Sequence, residues 1–180
     1  VHSSGMLARK GRELFVDAQR VLTFFGTLVS DIPYQNFTLA VVERNQPGGH
    51  SPPYFAALSH PPPSSPIAWR SDPAYFDGFP EFFLAHEAAH QWWGQAVGWK
   101  NYHEQWISEG FAQYFAALYA QHIQRDRVFD SVIAQMARWT LDRSDQGPVY
   151  LGYRLGHIRN EGRVFRALVY NKGGLALHML

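Results

Sequence analysis

The sequence predicts an α+β domain, mostly helical, with a small sheet near the N-terminus. Three observations carry this. Period-two, β-branched and aromatic stretches occur only in the first third of the 180 residues. Apolar residues at steps of three and four dominate afterwards. The order is strands first and helices after, with no repeat and no composition break that would mark a second domain.

The elements follow in order. Apolar residues at Leu14, Ala18, Val21, Leu22, Phe25, Leu28 and Val29 trace one helix face, and Asp31-Ile32-Pro33 ends it. Phe37 to Val42 reads as a strand. Gln46-Pro47-Gly48-Gly49 is a turn, and Tyr54 to Leu58 is a second strand, an edge strand because Pro52 and Pro53 precede it. Pro61 to Pro66 is a rigid loop. Asp72-Pro73 starts one helix and Phe79-Pro80-Glu81 another, over Phe82 to Gly94. Gly98 to Gln105 is polar and irregular. Helices are expected over Trp106 to Gln124 and, capped by Asp126, over Arg127 to Leu141. Ser144 to Pro148 breaks the pattern. Glu161 to Val169 and Asn171 to Leu180 are helical, with Tyr170 at or near their junction.

Composition narrows the functions. Sixteen basic residues against fifteen acidic ones give a net charge of +1 with no basic stripe, so nucleic acid is not an expected partner. With no cysteine, thiolate nucleophiles and cysteine-based metal sites are excluded. No apolar run reaches the roughly 18 residues that span a bilayer. The last residues lie within an apolar helical pattern without a stop signal, so the chain is expected to be a single domain cut from a longer multidomain chain.

The chemistry concentrates in His86-Glu87-Ala88-Ala89-His90. On a helix, positions 86 and 90 project from the same face, so two imidazoles can reach one metal ion. Glu87 lies about 100° around the helix, beside the metal, where a general base for water belongs. Nine histidines in 180 residues make the motif alone informative but not decisive. A catalytic zinc site needs a third protein ligand and an open position, and Glu109, nineteen positions after His90, is the candidate. The other reading of Glu109 is a carboxylate favoured by a helix N-terminus. His103 and Glu104 are either hydrogen-bond partners of a ligating imidazole or solvated loop residues.

His86-Glu-Ala-Ala-His90, followed by Trp106-Ile-Ser-Glu109-Gly-Phe-Ala112, resembles the aminopeptidase N family of gluzincin zinc peptidases, which includes leukotriene hydrolase. Gln91-Trp92-Trp93-Gly94 and Tyr170-Asn171-Lys172-Gly173 also match. The resemblance implies a thermolysin-like catalytic domain that binds one Zn2+ through His86, His90 and Glu109 and hydrolyses peptide bonds, with peptide or protein as substrate and flanking domains as partners. It implies that Glu87 is the general base and that Tyr170 stabilises the oxyanion; the plain alternative for Tyr170 is a core tyrosine. One departure bears on specificity. The family carries Gly-x-Met-Glu-Asn upstream of the zinc helix, and its Glu holds the substrate's free amino terminus. Here the stretch is Gly48-Gly49-His50-Ser51-Pro52-Pro53-Tyr54. An endopeptidase without amino-terminal recognition and a catalytically silent binding module therefore stand as alternatives. The second strand is further expected to pair with extended substrate backbone.

Overall fold

A computed structural model describes residues 8–42, 49–59, 76, 78–123, 126–152 and 162–180. The expected helix start at Asp72-Pro73 and the loop from Pro61 to Pro66 lie outside the described residues. So does most of the turn from Gln46.

Helix α1 spans Ala8–Val29 and begins earlier than the apolar stripe indicated. Strands β1, Thr38–Val42, and β2, Phe55–Ser59, form a two-stranded parallel sheet with Thr38 opposite Phe55 and Ala40 opposite Ala57. The other edge of β2 is occupied at Ala57 by the chain's own His50, which exchanges two backbone hydrogen bonds with it at 3.1 and 2.9 Å. That edge is therefore not open along its length to a substrate strand.

Helix α2, Glu81–Ala89, is buried on all sides from Phe82 to Ala89. Such a helix has no solvent face, so His86 and Glu87 are polar groups held in the interior. It is shorter than expected: Gly94 takes φ +120°, and wider turns carry the chain from His90 to Val97. His90 still keeps helical angles, so its one-turn relation to His86 survives. After a 3-10 turn at Tyr102–Glu104 comes α3, Gln105–His122, and then α4, Asp126–Leu141, with Asp126 in its first turn. The final segment is one helical run and not two helices with a junction. It comprises α5, Gly162–Phe165, a π-helical stretch, Arg166–Lys172, and α6, Gly173–His178. Tyr170 lies inside the π-helical stretch, a type of local widening that often marks functional sites.

The core gathers Val21 and Phe25 of α1, Leu58 of β2, Phe82 and Ala85 of α2, Phe115 and Ala116 of α3, and Met136 of α4. Trp92 is 3% exposed and donates its indole N–H to the Asp31 carbonyl at 2.9 Å, so it packs in this core. Among the described residues no helix is long and apolar enough to cross a membrane.

One glycine contact controls how α3 meets the last segment. A Cβ on Gly110 would lie 2.9 Å from the Gly173 carbonyl carbon and 3.0 Å from its Cα. The two backbones touch, and neither side can yield by rotating a side chain. Gly110→Ala is expected to destabilise the protein by about 1–3 kcal/mol, the usual cost of overpacking. Urea unfolding of the wild-type and variant proteins checks this; an unchanged midpoint would mean that the helices can separate freely.

Candidate metal centre

The site is assembled from three helical segments. Helix α2 presents His86, Glu87 and, at its C-cap, His90. One donor atom from each of these lies within 4.8 Å of the others. The imidazole rings stand at 90° with centroids 4.8 Å apart, so their edges converge without stacking.

Helix α3 brings Glu109. Its Oε2 lies 3.3 Å from Nε2 of His86 and 3.3 Å from Nε2 of His90. This oxygen is buried and has no hydrogen-bond partner among the described residues, despite the short distances. Ligands about 2.0–2.1 Å from a tetrahedral zinc are separated by about 3.3–3.4 Å, a spacing that both of these distances match. Glu87 also meets the distance criterion, but its carboxylate accepts a hydrogen bond from the Ser51 hydroxyl. Glu109 thus offers a buried oxygen with no hydrogen-bond partner among the described residues, whereas an oxygen of Glu87 is hydrogen-bonded.

Electrostatics agree. Burial alone would depress the His90 imidazole, but the Glu109 carboxylate against it, with smaller help from Glu87 and the Trp93 carbonyl, raises it to about 9. Burial would raise Glu109, but His90 and His86 hold it well below the usual carboxylate range. The cluster therefore calls for positive charge, and a proton on His90 or a divalent cation can supply it. His90 Nδ1 lies 3.0 Å from the Trp93 carbonyl oxygen, a contact that orients the ring with Nε2 toward Glu109.

The last helical segment brings Tyr170. Its ring lies nearly parallel to that of His86, at 14° with centroids 5.7 Å apart. The π-helical stretch around it is braced by Asn171, which accepts a hydrogen bond from Gln113 of α3 at 3.0 Å and donates to the Arg166 carbonyl at 3.3 Å. Lys172 donates to the Gly147 carbonyl at 2.8 Å.

All five candidate residues thus gather at one place. His103 and Glu104 do not join them. His103 Nδ1 lies 3.0 Å from the Tyr150 carbonyl oxygen, and Glu104 caps the local backbone by accepting from Lys100 N–H at 2.8 Å. Ser51 was not marked out as a candidate by any motif. It sits within the stretch that departs from Gly-x-Met-Glu-Asn, and that departure was the only signal.

Comparison with known proteins identifies the class. The sequence profile described as the peptidase family M1 domain matches residues 81–180, which contain the metal-site candidates and Tyr170. The chain belongs to peptidase family M1, and the expected resemblance to the aminopeptidase N family is borne out. It is 29% identical over 104 residues to endoplasmic reticulum aminopeptidase 2 of Bos taurus, covering 54% of this chain and 10% of that protein. It is 30% identical over 107 residues to aminopeptidase M1 of Arabidopsis thaliana, covering 54% and 11%. With aminopeptidase Ey of Gallus gallus the identity is 32% over 106 residues, covering 54% and 10%. The chain matches only about a tenth of the length of these curated relatives. No solved structure gives a significant match.

Proposed function

We propose that this chain is the catalytic centre of a zinc-dependent peptidase with a thermolysin-like arrangement, acting as an aminopeptidase. The observation that carries the proposal is the pair of 3.3 Å distances from one buried Glu109 oxygen to both imidazoles, with Glu87 alongside. In this reading His86, His90 and Glu109 hold one Zn2+, whose Lewis acidity acidifies water and polarises the scissile carbonyl.

The chain's own residues do the rest. Glu87 takes the proton of the attacking water and passes it to the leaving amine. The burial of Glu87 and His86 limits competing water. Tyr170, stacked beside His86, donates its hydroxyl hydrogen to the oxyanion as charge develops there.

The relatives' names support action at amino termini. The absence of Met-Glu-Asn after Gly48-Gly49 favours keeping a second reading, an endopeptidase on the same site. The test is to strip the full-length protein with a chelator, restore zinc, and compare peptides with free and blocked amino termini. Loss and recovery of cleavage, confined to free amino termini, is the expected result. Equal cleavage of blocked peptides would replace the aminopeptidase reading with the endopeptidase one. Cleavage that survives metal removal would overturn the zinc mechanism. Zinc binding without cleavage of any peptide would favour a silent binding module.

A further inference from the structure

We infer that Ser51 is a positioning residue for Glu87, holding the general base in line through a hydroxyl–carboxylate hydrogen bond. The inference rests on the peptidase reading above and deepens it.

The Ser51 hydroxyl donates to Oε2 of Glu87 across 36 sequence positions, and both side chains are buried. A carboxylate only accepts hydrogen bonds, whereas a hydroxyl can donate, so the direction of this bond is set by chemistry. The terminal torsion of a glutamate is broad and roughly two-fold. Fixing one oxygen therefore sets the carboxylate plane and the direction of the other oxygen. A general base must come within hydrogen-bond reach of the proton it takes, and small misplacements are costly.

The serine is itself held in place. Gln95 donates to the Ser51 carbonyl at 2.9 Å, and Gln91 donates to the carbonyls of Pro52 and Phe55 at 3.2 and 3.3 Å. The preceding His50 is bonded in both directions to Ala57 of β2. Gln91 and Gln95 follow directly on the helix that carries His86 and His90. The metal-site helix and the segment bearing Ser51 are thus tied into one unit. Gly49 closes the other side: a Cβ there would collide with the Glu87 carboxyl group. The stretch that lacks Met-Glu-Asn therefore presses on the base from two sides.

The experiment uses the zinc-loaded full-length protein and four variants, Ser51→Ala, Ser51→Thr, Glu87→Gln and the double variant Ser51→Ala with Glu87→Gln. Ser51→Ala is expected to lower kcat about 10-fold or more, in the range typical of residues that orient catalytic groups. KM, zinc content and Tm should stay near wild type, and Ser51→Thr, which keeps the hydroxyl, should recover most of the rate. In the Glu87→Gln background, Ser51→Ala should cost nothing further, because its effect passes through the base. Wild-type kcat in Ser51→Ala overturns the inference. So does an equal fold-loss in both backgrounds, or a loss explained by missing zinc or by failure to fold. An inactive wild-type protein overturns the peptidase reading itself and this inference with it, whereas a Glu87→Gln variant as active as wild type leaves the peptidase reading standing and overturns this inference by removing Glu87 from the mechanism.

Discussion

Glu87→Gln in the full-length protein is expected to retain about one zinc per chain and to lose roughly 10²–10⁴ in kcat, the range general acid–base catalysis supplies. The amide is nearly isosteric with the carboxylate and can still meet the Ser51 hydroxyl, so the fold has little reason to change. What disappears is the ability to accept a proton. Zinc content and steady-state peptide kinetics, measured side by side, check this. A variant that loses its zinc would instead assign Glu87 as a metal ligand, a role its place within 4.8 Å of both imidazoles leaves geometrically open. A variant that keeps full activity would remove Glu87 from the mechanism.

Glu109→Ala is expected to act at the metal. It removes the carboxylate oxygen placed 3.3 Å from both Nε2 atoms, leaving two imidazoles where catalytic zinc sites use three protein ligands. Zinc content should fall well below one per chain after dialysis, and peptidase activity should fall at least 100-fold. Excess zinc should recover only part of it. The variant also loses the principal group that raises His90, so in the metal-free protein the imidazole should titrate lower than in the metal-free wild type. Histidine NMR titration of the metal-free wild type and variant reads this directly. The sign is fixed by the charge: removing an anion beside a protonated imidazole always makes the proton easier to lose. Full zinc occupancy in Glu109→Ala would show that another group completes the site.

These two expectations differ in how far the sequence supports them. His86, Glu87 and His90 lie within five consecutive residues, and helical geometry alone relates them. That relation held even though α2 ends earlier than its apolar pattern indicated, because His90 keeps helical angles before the chain turns. The mostly helical fold with a small sheet near the N-terminus was legible for a similar reason. Hydrophobic periodicity is a local property, and the strands at Thr38–Val42 and Phe55–Ser59 fall within a residue of the patterns that announced them.

The π-helical placement of Tyr170 was not legible, because a widened turn depends on packing and not on periodicity. Gln113 and Asn171 meet 58 positions apart in a buried hydrogen bond, and nothing local in either residue indicates that contact. The role of Ser51 was hidden for the same reason. A serine beside two prolines reads as a turn until tertiary structure sets its hydroxyl against a carboxylate.

By itself, then, the sequence determined the chemistry available at one helix: two imidazoles on one face with a carboxylate beside them. Tertiary structure decided which distant groups lie beside it. Glu109 and Tyr170 arrive from segments 19 and 80 positions beyond His90, and the helical segments that carry them approach backbone to backbone at Gly110 and Gly173. Helical periodicity relates residues a few positions apart, whereas convergence over such separations is set by side-chain volume and close packing.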